Sequence, residues 1–243
     1  MSARAIAAQS RMELALTLRR GESLVVTLFI PVGVLVLFSK ITPVKTTSAD
    51  ALDFLVPGVL ALAVIATSMV SLGIATGFER RYNVLKRLGA TPLSRRGLLI
   101  AKSCNVLAIE ALQVAVIVVV AVALGWHLTW RIIPAVAVLA VGSVAFSGLG
   151  LLFAGTLRAE ATLAIVNLLY LLFIGLGGIA YPLKDLPNAV SAVAEALPAA
   201  ALAQSVRAVL EPGPGTLGGP LAVLVVWAAV TPFLASRYFR WEE

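Results

Sequence analysis

Apolar residues in this chain come in long blocks, without the alternation of a strand or the single stripe of a soluble helix. Blocks bounded by charge, Gly or Pro cover 24–39, 55–78, 103–124, 132–157, 161–181 and 217–236. Most reach the roughly 20 residues that a helix needs to cross the hydrocarbon of a bilayer. The pattern therefore predicts an all-α membrane protein, a single domain over 1–243 with six transmembrane helices. The first block is the shortest and contains Pro31. It has no small-residue cleavage site and reads as a retained helix rather than a removable leader.

Three further stretches have helical character without spanning length. Residues 3–20 are helix-forming, but Ile6, Met12, Leu14, Leu16 and Leu18 make no clean stripe, so an N-terminal interfacial helix is expected. In 79–102, ERRYNVLKRLGATPLSRRGLLIAK, residues Tyr82, Leu85 and Leu88 recur every three positions along one side of a short helix. Gly89 can end it, and Ser94 can cap the next helix after Thr91 and Pro92. In 182–219, Leu186, Val190, Val193 and Leu197 are spaced by four, three and four; Pro198 interrupts, and Leu202, Val206 and Val209 continue. These are two short amphipathic helices that lie in the outer interface or dip into the protein as a re-entrant hairpin, followed by the turn EPGPGTLGG.

Charge sets the orientation. With both termini on one face, that face carries fourteen Lys and Arg against five on the other, which makes the termini cytoplasmic and the hairpin external. Only 13% of residues are charged and 60% are hydrophobic, with a mean hydropathy of +1.00, whereas soluble domains carry roughly 25% charged residues. A net charge of +7 would suggest nucleic acid in a soluble protein; here it records topology and contact with anionic lipid headgroups, and no nucleic-acid partner is expected. The basic loop 79–102 has two readings, a solvated topology signal or a structured contact surface.

Chemistry is sparse. One cysteine, Cys104, and one histidine, His127, exclude an internal disulfide and a multi-histidine metal site. No GxxxxGK[ST], GxSxG or HExxH occurs, so no catalytic residue, metal or cofactor of its own is expected and the enzyme reading falls away. Within the spans, Lys102, Asn105, Glu110 and Gln113 fall within an arc of about 140° at 100° per residue, which should face protein. Glu110 is either a proton or substrate site or a buried carboxylate satisfied by its neighbours; a lone acid without a relay favours the second. Asn167 and Tyr170, three apart in the fifth block, suit an amphiphilic ligand or a helix contact equally. Gly73 and Gly77, with Gly148, Gly150 and Gly155, mark close helix approach.

The arrangement resembles the type-2 permeases of ABC transporters, in particular the small drug-export permeases of the daunorubicin-resistance kind. The loop 79–102 is similar to the family's ERExGTLExLLxTPLSRxxxLxGK pattern: Glu79 and Arg80 match its opening, Leu85, Arg87 and Leu88 its centre, and Thr91, Pro92, Leu93, Ser94 and Lys102 its close. The usual second acid and Gly-Thr give way to Arg81, Tyr82 and Asn83. The segment GGIAYPLKDLPNAVSAVAEALPAAALAQSVRAVL resembles the family's run of prolines ending in an arginine, through Pro182, Pro187, Pro198 and Arg207.

The resemblance implies the permease subunit of an ATP-driven exporter of a drug or lipid-like compound in the bacterial plasma membrane. It implies a cytoplasmic coupling helix, with Glu79, Arg80, Tyr82, Leu85, Arg87, Leu88, Thr91 and Pro92 meeting a separate ABC ATPase present in two copies, which holds ATP and Mg. It also implies a second permease, identical or related, and an outer gate built on Pro182, Pro187, Pro198 and Arg207. Arg207 is placed to pair with a lipid phosphate, Asp185 or Glu195. The substrate pathway is assigned to Asn167 and Tyr170. Export of a glycan or glycolipid is the alternative within the family, and a proton-coupled secondary carrier using Glu110 is the alternative outside it.

Overall fold

The computed structural model of the chain describes residues 11–15, 21–41, 51–89, 95–179, 183, 187–211 and 217–240. Among them every regular element is helical. Helix α1 is Gly21–Ile41, and the second span is made of α2, Ala51–Ile65, and α3, Leu72–Arg81, joined by a π-helical turn, Ala66–Ser71. There follow α4, Val84–Gly89; α5, Arg95–Ala123; α6, Ile132–Thr156; α7, Ala159–Leu176; α8, Asn188–Glu195; α9, Pro198–Leu210; and α10, Gly218–Tyr238.

Among the described residues, five helices are long and apolar enough to cross a membrane: Leu52–Arg81, Ile100–Ala123, Ile132–Thr156, Ala159–Leu176 and Gly218–Tyr238. The block expected at 24–39 is α1, 21 residues long, whose described apolar part, Thr27–Ser39, is shorter than the others. Helices α8 and α9 meet at 84°, a broken element too short in either half to span.

Helix α6 is the spine, packed along α10 and against α3, α9 and the π turn. Its glycines make this possible. A Cβ on Gly148 would come within 2.6 Å of the Pro232 nitrogen on α10, and one on Gly150 within 2.6 Å of the Met69 carbonyl oxygen in the π turn. In a bilayer such close backbone approach supplies the packing that the hydrophobic effect supplies in water. The second span lies inside: Phe54 to Ile65 is buried at nearly every position, and Phe146 of α6 meets Phe173 of α7 edge to face at 5.8 Å. By contrast α7 and α10 turn most of their apolar surface outward, with Leu168, Leu171, Val226 and Phe233 more than half exposed. An apolar helix face without a protein neighbour suits lipid or another membrane chain.

The two ends of the bundle are distinct. One gathers residues 13, 79–89, 97–102, 155–160 and 235–240; the other gathers the start of α2, the end of α7 and the α8–α9 corner.

Candidate functional site

At the first end the chain leaves the second span and turns at once. Helix α3 stops at Tyr82, whose amide still bonds the Phe78 carbonyl at 2.9 Å. Asn83 takes φ 59°, a left-handed conformation that asparagine tolerates better than most residues. Its carbonyl accepts the Arg87 amide at 3.2 Å and opens α4. The short helix thus begins at Val84, not at Tyr82, and the expected single stripe is divided. Tyr82 is 66% exposed and stacks on Phe78, whereas Leu85 is fully buried among Leu72, Leu98, Val106, Leu151, Ala235 and Phe239. Leu85 therefore seats α4 on the bundle and cannot serve as an outward contact, which corrects the reading of the three-residue spacing. The outward surface of this turn is Tyr82, Val84 and Arg87, all exposed. Val84 was missed because it stands next to Leu85, about 100° round the helix and outside the three-residue repeat.

The residues leading into the turn are each fastened to a different part of the bundle. Glu79 accepts the Lys102 ammonium at 2.7 Å, and Lys102 also reaches Glu13 at 3.2 Å. Lys102 is 1% exposed, so one buried cation joins the helical stretch 11–15, the end of α3 and the start of the third span. A lysine so placed is tolerable only because two carboxylates meet it. Arg80, also buried, donates from Nη2 to the Leu157 carbonyl after α6. Arg81 pairs with Glu160 at the start of α7; both are exposed, so this pair adds little stability. The Arg240 amide bonds the Gly155 carbonyl at 3.1 Å. The side chain of Leu88, Thr91 and Pro92 lie outside the described residues, as does Pro182.

At the other end Arg207 is the anchor. Its guanidinium lies 4.1 Å from the ring centre of Phe54 in α2, donates from Nη2 to the Gly178 carbonyl at 3.2 Å, and approaches Glu211 at 3.8 Å. The expected pairing with Glu195 is not the one formed; Glu195 is exposed on α8, while Glu211, four residues on, shares the face of Arg207. Asp185 lies outside the described residues. Pro187 precedes α8, and Pro198 is buried at the first turn of α9, where a missing amide hydrogen costs nothing. The Trp227 indole of α10 donates to the Ala196 carbonyl at 3.0 Å and ties down the corner.

Between the ends, three members of the polar arc of α5 face protein, Lys102, Glu110 and Gln113 being buried, while Asn105 is half-buried. Thr67 donates to Gln113 Oε1 at 2.9 Å, Gln113 Nε2 donates to the Thr27 carbonyl at 2.9 Å, and Ser143 of α6 hydrogen-bonds the Glu110 carboxyl. Asn167 and Tyr170 part company. Asn167 is exposed on α7 with its amide nitrogen on the Leu163 carbonyl at 2.8 Å, whereas Tyr170 packs inward against the core. Among the described residues no three His, Cys, Asp or Glu side chains stand together as metal ligands.

Residues 4–210 match the family model described as ABC-2 type transporter. No curated protein matches the chain significantly.

Proposed function

The chain belongs to the ABC-2 type transporter family and is a membrane-spanning transport subunit; we propose that it exports a lipophilic or amphiphilic compound, driven by a separate ATPase that docks on the turn at Tyr82, Val84 and Arg87. The single observation that carries this reading is the mechanical continuity of that turn. A six-residue helix is seated by Leu85, while Glu79, Arg80 and Arg81 are tied to three other parts of the bundle. A push on α4 therefore reaches the spans without being absorbed by slack loop.

On this reading the turn faces the cytoplasm, in accord with the excess of Lys and Arg on that face. Two ATPase subunits hold ATP and Mg, and two permeases, identical or related, enclose the pathway. Asn167 supports the placement of that pathway. A polar side chain exposed among Leu163, Leu168 and Leu171 is costly against lipid and is satisfied against a second permease or an amphiphilic cargo. Tyr170, turned inward, supports the helix rather than the pathway. The Arg207 anchor with the α8–α9 corner closes the external end. Aromatic content of 7% offers few stacking surfaces for a sugar, which favours a lipid-like cargo over a glycan.

The test is reconstitution of the chain with the ATPase that co-purifies with it, identified by its P-loop, in inside-out vesicles. Uptake of the lipophilic cation ethidium, a fluorescent phospholipid and a fluorescent oligosaccharide is followed with and without ATP. ATP-dependent uptake of either of the first two is expected. Uptake driven by a proton gradient without ATP would refute the reading, and uptake of the oligosaccharide alone would replace the cargo.

A further inference from the structure

The second span is interrupted in its middle by a turn that an apolar crossing helix does not need. Over Ala66–Ser71 the backbone is π-helical, and the Leu72 amide reaches back to the Thr67 carbonyl, five residues away. Such a turn holds about one more residue than an α-helical turn, weakens the ladder locally and recurs at functional positions. Here it is held from three sides. Thr67 is pinned to Gln113 of α5, which is itself pinned to the Thr27 carbonyl of α1. The Ser68 hydroxyl bonds the Val64 carbonyl, whose α-helical donor would have been the Ser68 amide. On the third side the turn lies directly on Gly150 of α6, where no side chain intervenes.

The two halves that it joins share α6 but differ in their other anchors. Above the turn, α2 packs on α1, α9, α6 and α5 and is held at its end by Arg207 over Phe54. Below it, α3 packs on α6 and α7, and its last residues are fastened to Lys102, Leu157 and Glu160 just before the turn into α4. A continuous α-helix would rotate both anchors together.

We propose that the π turn is a hinge through which α3 moves with α4 while α2 stays fixed to the external corner, and that Thr67 and Gln113 are the positioning residues that hold its resting register. The proposal rests on the ATPase-driven reading given above. A change in register by one residue turns one half against the other by about 100° and 1.5 Å, so partial passage suffices for a large movement at the end of the span.

The test places spin labels at Asp53→Cys and Ala75→Cys in a Cys104→Ser chain, one on each side of the turn and about 33 Å apart along an α-helical rise. A second pair, Arg158→Cys with Val193→Cys, both exposed and outside the docking turn, reports the cycle as a whole. Labelled chains are diluted with unlabelled ones, assembled with the ATPase and measured without nucleotide and with trapped ATP. The expected result is a nucleotide-dependent shift in both pairs, lost from the first on deletion of Ser71, an exposed residue of the turn whose removal restores α-helical register.

The deletion should lower transport at least about ten-fold, the scale of a coupling free energy between sites, while ATP hydrolysis continues. Thr67→Val with Gln113→Leu should broaden the first distance distribution, and Thr67→Ser should keep it narrow. A shift in the second pair with none in the first overturns the hinge and leaves the transport reading intact. No shift in either removes both. If the deletion variant fails to assemble, the first pair in the parent chain decides alone.

Discussion

Leu85 and Tyr82 make opposite demands on the same short turn, and their replacement separates seating from docking. Leu85 is fully enclosed, so Leu85→Ala removes buried methyl groups and leaves a cavity, a change that costs about 2–5 kcal/mol in packed interiors. The cost falls on a helix of only six residues that has no other fully buried side chain among those described in it. It should therefore appear as local opening of α4, not as global unfolding. At about 3 kcal/mol the amide protection of 84–89 falls roughly a hundred-fold, since each 1.4 kcal/mol is tenfold. Tyr82→Ala removes an exposed ring and should change stability by no more than about 0.5 kcal/mol, yet it deletes the outward surface proposed for the ATPase. Hydrogen exchange followed by mass spectrometry reads the first effect, and nucleotide hydrolysis by the assembled complex reads the second. Unchanged protection in Leu85→Ala, or an equal loss in Tyr82→Ala, would refute the division between seat and surface.

Lys102→Met should lower the thermal midpoint of the purified chain by an amount equivalent to about 3 kcal/mol, because breaking a buried pair leaves its carboxylates uncompensated; adding Glu79→Gln should recover part of the loss, and strictly additive effects would show that the two do not interact. Glu110→Gln preserves shape and the bond with Ser143, so transport should persist and should not follow the proton gradient; loss of transport with normal assembly would make Glu110 a functional acid. In a Cys104→Ser background, a cysteine at Val193 should react freely with an impermeant thiol reagent and one at Val206, fully buried, should react only when trapped ATP opens the external corner; equal protection of Val206 in both states removes the gate assignment.

Where the chain pattern carried the answer, it did so through period and volume. The arc of Lys102, Glu110 and Gln113 faces protein because hydrocarbon rejects it from the other side, a constraint visible in one helix alone. Gly150 and Gly148 likewise record contacts that only a missing side chain permits. The spacing at Tyr82 and Leu85 misled because Asn83 breaks the helix between them, and a residue at φ 59° resets the phase of everything after it. Asn167 and Tyr170, three apart, stand 60° from each other on a helix, enough to place them on either side of the boundary between bundle and surroundings. The partners of Lys102 and Arg207 were beyond reach in the sequence, since Glu13, Glu79 and Phe54 are brought to them only by tertiary packing. Nothing in ATSMVS announces a π turn; the partners that hold it, Gln113 and Gly150, reach it only through tertiary packing.

The seat of α4 also has an order of manufacture. Leu85 leaves the ribosome early, but Leu151 comes much later and Ala235 and Phe239 later still, and all share one cluster with it. Through most of synthesis the short helix has an incomplete socket. The surface proposed for the motor thus becomes rigid only after α10 has been made, and a product cut short before it presents a loose one. Recruitment of the ATPase would then double as a check that α10 is in place.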